Sequence, residues 1–157
     1  MSVTVTMDRS AEVIAAVQAF VKRDVLVGIP EDTNARKSDA MGNAAIGYVN
    51  ENGSPANNIP ARPFLLPGVL SVTGRCAAVL KHAALQAFTD DDAVNKGLES
   101  AGQIARDAVK KKITTGPFAP LSAMTISMRK ADGISSVKPL IRTGQLRNSI
   151  TYVVKDR

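Results

Sequence analysis

Two amphipathic stretches joined by four polar residues are the feature that most constrains this chain. Apolar side chains recur at helical spacing in each stretch. The first stripe contains Val69, Val72, Cys76, Val79, Leu80, Ala83, Ala87 and Phe88, and the second contains Val94, Leu98, Ala101, Ile104, Ala105, Ala108 and Val109. Because the connection Thr89–Asp92 is so short, the two helices are expected to run antiparallel. The sequence therefore predicts a helical hairpin with about 20 residues, or roughly 30 Å, per arm.

Charged and small residues refine this hairpin. The acidic residues at 90–92 suit the start of the second helix, and the lysines at 110–112 suit its end, because each charge complements the helix dipole. Gly97, Ala101 and Gly102 predict a close approach of the two helices, at some cost in helix propensity.

Shorter patterns predict a small sheet beside the hairpin. Strands are expected at 3–6, 25–29 and 150–154, where β-branched residues are frequent. The last two strands are expected to pair, since a single strand cannot satisfy its own backbone. Apolar residues also recur on one face of a helix near the start of the chain, with Asp8 or Ser10 as its cap: Val13, Ile14, Val17, Phe20 and Val21.

Three short helices are predicted elsewhere. One covers 44–50 and is ended by Gly53, and another covers 144–148 with Thr143 as its cap. Ser122 caps the third, which carries Met124 and Met128. The alternation of apolar residues over 124–128 also allows a strand at this position.

Two further segments lack helical or strand periodicity. Glu31–Asn43 is almost free of apolar residues, which predicts a polar loop. Gly53–Phe64, with the sequence GSPANNIPARPF, contains three prolines and excludes a regular helix or a central strand. Its apolar residues Ile59 and Phe64 favour an extended arm lying on a surface over a free linker.

Together these patterns predict the α+β fold class. At 157 residues the chain is expected to form a single domain over 1–157. A long antiparallel helical hairpin packs on a small, mainly antiparallel sheet, with extended Pro-rich arms and mobile loops near 31–43 and 53–63.

Composition excludes several functional classes. One Cys and one His cannot form an internal disulfide, nor the usual zinc site of about four such ligands. Cys76 and His82 lie about 240° apart around one predicted helix, so they do not pair as nucleophile and base. Helix capping explains Asp90–Asp92 better than a metal site does. The sequence predicts no enzyme: no catalytic residue, no metal site and no cofactor.

The charge is strongly asymmetric along the chain. Residues 1–105 carry 9 Lys or Arg and 11 Asp or Glu, a net of −2, whereas residues 106–157 carry 11 and 3, a net of +8. This basic third is interpreted as a solvated face, a contact for an acidic protein partner, or a path for nucleic-acid phosphates. Aromatic residues make up only 4% of the chain, which nearly excludes stacking platforms for bases.

No targeting or membrane segment is recognisable in the sequence. The stretch MSVTVTM has neither a basic region nor an apolar core like those of a signal peptide. The longest apolar runs are shorter than the roughly 18–20 residues that a bilayer span needs. The protein is therefore expected in the cytosol, or to leave the cell without a signal, for example by lysis.

Three stretches, in this order and spacing, resemble the neck and tail-completion proteins of long-tailed bacteriophages. They are GSPANNIPARPFLLPGV over 53–69, PFAPLSAMTISMRK over 117–130 and KPLIRTGQLRNSITYVV over 138–154. The family includes proteins like lambda protein Z and the Mu-type virion morphogenesis proteins, and the resemblance covers about two thirds of the chain. Phe118 stands where relatives often carry Trp, and Glu31–Asn43 has no counterpart.

The resemblance implies a structural role in the virion. Family members complete the tail or join it to the head as rings around the DNA channel, which implies a homo-oligomeric ring, expected to be hexameric. The implied partners are other neck and tail proteins, such as head-closure and tail-terminator proteins, with non-specific proximity to DNA and no membrane. The implied location is the neck or upper tail of the virion, and the host cytoplasm during assembly.

The resemblance also assigns residues to these roles. The expected interface residues are Ile59, Pro60, Arg62, Pro63, Phe64, Leu121, Thr143, Gly144, Leu146 and Arg147. Lys110, Lys111 and Lys112 are the expected contacts with the DNA channel or an acidic partner. The alternative function is sequence-independent nucleic-acid binding through the basic C-terminal third. A hydrolase is the third hypothesis, and no sequence motif supports it.

The two irregular segments lead to a prediction about assembly. We expect the backbone amides of 31–43 and 53–63 to exchange rapidly with solvent in the free subunit and to gain protection in the assembled particle. Hydrogen exchange of both samples, followed by mass spectrometry, measures this directly. Strong and equal protection of both segments in the free subunit would contradict it.

Overall fold

The chain forms seven helices and a two-stranded antiparallel sheet within the residues that the structure describes, an α+β arrangement. This computed structural model describes residues 10–30, 41–87, 89–90 and 92–157. The helices are α1 (Ser10–Val21), α2 (Asn43–Asn52), α3 (Leu65–Leu70), α4 (Thr73–Gln86), α5 (Ala93–Thr115), α6 (Ala123–Ala131) and α7 (Gln145–Ser149), and the strands are β1 (Arg23–Gly28) and β2 (Thr151–Asp156). A 3₁₀ turn covers Pro55–Asn57.

The predicted helical hairpin is confirmed, with arms of unequal length. Helix α5 has 23 residues, whereas α4 has 14. The first arm is interrupted between α3, which ends at Leu70, and α4, which begins at Thr73. At this break the Ser71 hydroxyl donates to the Gly68 carbonyl at 2.7 Å, and the Thr73 hydroxyl donates to the Leu70 carbonyl at 2.9 Å. Such local bonds compete with a continuous helix, and periodicity does not reveal them.

The connection between α4 and α5 differs from the predicted cap. Asp92 occupies the N-cap position of α5, but its side chain accepts no backbone hydrogen bond. Instead its carboxylate accepts from the side-chain amide of Asn95, and the Asp90 carboxylate accepts from the backbone N–H of Asp92. The predicted contributions of Phe88 and Asp91 lie outside the described residues.

Three glycines allow elements to lie unusually close to α5. A Cβ atom built at Gly97 would lie 2.3 Å from the Ala83 Cβ, which confirms the predicted approach of α4 to α5. At Gly68 it would meet the Val109 Cα of α5 at 2.8 Å. Gly102 accommodates the ring of Tyr152 rather than a helix, since a Cβ there would lie 2.3 Å from that ring. Close packing thus fixes α3, α4 and β2 on one central helix.

The predicted pairing of the last strand with the 25–29 stretch is also confirmed. Strands β1 and β2 run antiparallel, with Val25 opposite Val154 and Val27 opposite Tyr152. Both strands contact α5. The strand predicted at 3–6 lies outside the described residues.

The short helices agree with prediction in part. Helix α6 forms and excludes the strand alternative, and the Ser122 hydroxyl accepts the predicted capping bond from the Thr125 N–H at 3.2 Å. Helix α2 ends at Gly53, whose φ of 77° suits glycine. The prediction that Thr143 caps α7 is wrong. Gly144 holds that position with a φ of 81°, and the cap has no side-chain hydrogen bond.

Helix α1 forms, but its apolar face is largely uncovered. Val13, Ile14, Val17 and Val21 are 40%, 56%, 55% and 61% exposed. Among the described elements, only β1 and α5 pack against this helix to an appreciable extent. The proposed cap Asp8 lies outside the described residues, and Ser10 is the first residue of the helix.

The core lies where α5 meets α3, α7 and the Pro-rich segment. Its buried members are Phe64, Val109, Ile113, Leu146 and Ile150. All but Ile113 and Val109 come from the stretches that carry the resemblance. These stretches therefore build the interior of the fold, which positions the remaining polar residues around it.

Candidate functional site

Arg62 joins two segments that lie far apart in the sequence. Its guanidinium donates from Nε to the Ala119 carbonyl at 2.8 Å and from Nη2 to the Pro120 carbonyl at 2.9 Å. The residue is 7% exposed. Because prolines cannot donate backbone bonds, the Pro-rich segments leave carbonyls for such a donor. The guanidinium thus ties the PARPF stretch to the PFAPLS stretch.

A carboxylate on α2 holds the end of the same Pro-rich segment. Glu51 accepts hydrogen bonds from the backbone N–H groups of Phe64, Leu65 and Leu66 at 2.7, 2.8 and 3.0 Å. These amides open helix α3 and have no partner within that helix. Sequence analysis missed this role, since capping motifs place the acidic residue within the helix or beside it rather than 13 residues earlier.

The expected interface residues divide into buried and accessible groups. The side chains of Phe64 and Leu146 lie in the core, so they stabilise this chain itself. Arg62 is buried by its bonds to loop carbonyls. The accessible members, fully or partly exposed, are Ile59, Pro60, Pro63, Leu121, Thr143, Gly144 and Arg147.

Arg129 organises the segment between α6 and α7. Its Nη1 donates to the carbonyls of Ser136, Lys138 and Ile141 at 2.9, 2.9 and 3.1 Å. The side chain is 9% exposed. Sequence analysis did not single out this residue, because nothing local to an Arg in a helix shows that it will bind distant carbonyls.

All three stretches meet around one small pocket. It has a volume of about 170 Å³ and is lined by Ile46, Asn50, Arg62, Leu121, Arg129, Leu140, Arg142, Thr143, Gly144, Gln145 and Leu146. Five of the expected interface residues are among these. The structure thereby brings together Arg62, Leu121, Thr143, Gly144 and Leu146. The other five expected residues do not line this pocket: Ile59, Pro60, Pro63, Phe64 and Arg147.

The predicted lysines lie beside Arg147 at the end of α5. An open groove of about 430 Å³ is lined by Lys110, Lys111, Thr114, Thr115, Arg147 and Asn148. Partial burial lowers the pKa of Lys110, and the nearby cations Arg106 and Arg147 lower it further against the opposing effect of Asp107. Since burial and like charges both disfavour the ammonium form, this cluster is suited to receive an anion.

Lys112 faces a different surface. It lines a wider groove of about 880 Å³ together with Arg75, Asp107 and Lys111. The three consecutive lysines are thus distributed over two sides of α5, as helical geometry requires.

Cys76 and His82 both lie on α4. The Cys76 thiol donates weakly to the Ala101 carbonyl at 3.6 Å, and His82 is exposed on α4. Asp90 and Asp92 form ion pairs with Lys96 at 2.9 and 3.6 Å. Over residues 10–30, 41–87, 89–90 and 92–157, no cluster of three His, Cys, Asp or Glu side chains is placed to hold a metal ion. In the same ranges no helix combines the length and hydropathy needed to cross a bilayer.

Comparisons of the chain with protein-family models, with curated proteins and with solved structures found no match in any of the three.

Proposed function

We propose that this chain is a structural virion protein of the phage neck or upper tail, which completes the tail and joins it to the head as part of a ring around the DNA channel. The observation that carries the proposal is the uncovered apolar face of α1. Four large apolar residues on one side of this helix are each at least 40% exposed. Monomeric proteins seldom expose such contiguous apolar surface, so assembly is favoured.

The sheet supports the same interpretation. Leu26 and Val153 are direct partners across β1 and β2, and they are 54% and 44% exposed. This outer face lies in the same part of the fold as α1, which contacts β1. A head-to-tail contact that uses this surface would generate a closed ring if the rotation closes.

The irregular segments supply the finer features of the proposal. Contrary to the sequence prediction, the first Pro-rich stretch is not extended throughout, because Pro55–Asn57 form a 3₁₀ turn and Ser54 pairs with Ile59. It is anchored on the chain at Arg62 and Phe64 and offers Ile59, Pro60 and Pro63 to neighbours. The groove lined by Lys110, Lys111 and Arg147 at the end of α5, called the basic groove below, suits a channel through which DNA passes without sequence readout.

Electron microscopy of particles made with and without this protein tests the proposal. We expect particles that lack it to show heads and tails that fail to join, and the purified protein to form rings at high concentration. Normally joined particles in its absence would overturn the proposal.

Sequence-independent nucleic-acid binding is the second candidate, favoured by the groove of Lys110, Lys111 and Arg147. An isolated subunit with this function binds duplex DNA strongly, and its affinity falls steeply with salt. A ring component binds DNA weakly until it assembles. Titration of the monomer with duplex DNA at two salt concentrations therefore separates the two functions.

Replacement of Lys110, Lys111 and Lys112 by Gln tests the role of the lysines at the end of α5, two of which line the groove beside Arg147. We expect the melting temperature to change little, because charges that are at least partly exposed contribute little to stability and burial already disfavours the charge of Lys110. The yield of infectious, fully joined particles should fall, through weaker ring contacts or poorer passage of DNA. Plaque counts and micrographs measure this loss.

A matched variant removes three charges elsewhere. Lys81, Lys130 and Lys138 are exposed and lie outside both the basic groove and the surface formed by α1 and the sheet, so their replacement by Gln should leave particle yield near that of the wild type. Equal yields from both triple variants would identify Lys110–Lys112 as no more than a solvated helix end.

A further inference from the structure

Three guanidinium groups border the small pocket at which the sequence stretches meet. Arg62 comes from the Pro-rich segment, Arg129 from α6, and Arg142 from the stretch before α7. None of the described Asp or Glu residues lines this pocket. Arg142 is paired with Asp132 at 2.6 Å, but that carboxylate is not one of the lining residues. Within the described part of the chain, the pocket therefore concentrates positive charge without a lining carboxylate.

The two buried guanidiniums have nitrogen donors that make no hydrogen bond to the described part of the chain. Arg62 uses Nε and Nη2 for carbonyls, and its Nη1 has no hydrogen-bond partner within the described residues. Arg129 uses only Nη1, which leaves Nε and Nη2 without partners in the same part of the chain. None of these nitrogens is both fully buried and unsatisfied. Each of these unpartnered nitrogens therefore retains some solvent-accessible surface.

The charges in the pocket repel one another. Burial lowers the pKa of Arg129, and the nearby Arg142 and Arg62 lower it further. No acidic group contributes to this shift. An arginine pKa remains far above neutral, so all three groups are charged under ordinary conditions. A bound anion would relieve this repulsion.

The remaining walls indicate which anion fits. Apolar side chains of Ile46, Leu121, Leu140 and Leu146 stand beside the guanidiniums, and Asn50, Thr143 and Gln145 add polar atoms. A volume of about 170 Å³ admits one small side chain, not a nucleic-acid backbone. Apolar walls match the methylene groups of Asp or Glu, and planar guanidiniums match a carboxylate.

We infer that this pocket binds the carboxylate side chain of an Asp or Glu presented by a neighbouring protein subunit. The carboxylate accepts from the free donors of Arg62 and Arg129, and Arg142 exchanges its exposed pairing with Asp132 for the incoming group. The site is separate from the lysine groove and does not depend on a role in the virion.

NMR of the full chain tests the inference, with the arginine Nε–H signals as reporters. The probe is N-acetyl-glutamate methylamide, whose only charge is the side-chain carboxylate. We expect saturable shifts at Arg62, Arg129, Arg142 and the Thr143 amide, with a dissociation constant of about 1–10 mM for so small a ligand. The uncharged N-acetyl-glutamine methylamide is expected to give no saturable shift, and inorganic phosphate is expected to bind more weakly.

Variants locate the binding within the pocket. Arg142→Gln removes a half-exposed guanidinium and is expected to weaken binding about tenfold. Arg142→Lys keeps the positive charge. We expect this variant to give the spectrum of a folded protein and an affinity between those of the wild type and Arg142→Gln. Arg75→Gln is the matched control in another groove, and its affinity should equal that of the wild type.

Four results would overturn the inference. They are an absence of saturable shifts at Arg62 and Arg129, equal shifts with the glutamine analogue, tighter binding of phosphate than of the glutamate probe, and equal affinities of the wild type and Arg142→Gln. None of these outcomes bears on whether the chain forms rings, so this inference and the proposed function fail separately.

Discussion

Leu98→Asp is expected to destabilise the protein by at least about 4 kcal/mol, a large share of the stability of an ordinary domain. Leu98 is 4% exposed on α5, the helix against which α3, α4 and both strands pack. The change removes buried apolar contacts and introduces a carboxylate without a partner. Chemical denaturation of the purified variant and wild type measures the difference.

The pH dependence of this loss distinguishes a buried charge from a simple cavity. Burial raises the pKa of an introduced carboxyl, so its neutral form is favoured in the folded state. The stability difference between variant and wild type should therefore be larger at pH 7 than at pH 4. Ser100→Asp places the same charge at an exposed position on the same helix and should change stability little. A Leu98→Asp variant that melts within a few degrees of wild type would show that Leu98 is not in the core.

Gly97→Ala is expected to destabilise the hairpin by about 2 kcal/mol, although alanine is the better helix former. The added methyl group would lie 2.3 Å from the Ala83 Cβ, so α4 and α5 would have to separate. Both residues are buried where the helices cross, and no flexible side chain is available to move aside. Thermal and chemical denaturation both report this change.

A compensating substitution tests the cause directly. Ala83→Gly removes the opposing methyl group, so in the Gly97→Ala background it should restore stability apart from the cost of glycine in a helix, about 1 kcal/mol. Gly74→Ala is the matched control, because a Cβ at Gly74 meets nothing within 4 Å. It should leave stability unchanged or raise it slightly. If Ala83→Gly destabilises both backgrounds equally, contact between these two positions is not the cause.

Local patterns in the sequence identified elements where a single helix or strand decides the outcome. Helix α6 follows from Ser122 as its cap, and α2 ends at a glycine because the chain turns through a positive φ there. The long apolar periodicity identified α5, because its buried residues all lie on one face of the helix. The pairing of β1 with β2 was predictable because few other strands were available.

Burial and distant hydrogen bonds could not be predicted in this way. The α1 stripe has the periodicity of a buried helix face, yet no described element covers it. Thr143 has the residue type of a cap, but Gly144 takes that position because the chain enters α7 through a left-handed conformation. The breadth of the basic cluster also needed the fold, since Lys110 and Arg147 are remote in sequence.

The helical hairpin, the small antiparallel sheet and the asymmetry of charge follow from the sequence alone, because periodicity, turn residues and charge are local properties. Which residues serve the core and which remain available for contacts depends on how distant segments pack together. Arg62 shows the reason, since its position depends on carbonyls 57 and 58 residues away. Phe64 shows it too, because its backbone N–H meets Glu51 and its ring meets α5 only after the whole chain has folded. Such contacts depend on the relative placement of distant segments, which no local pattern encodes.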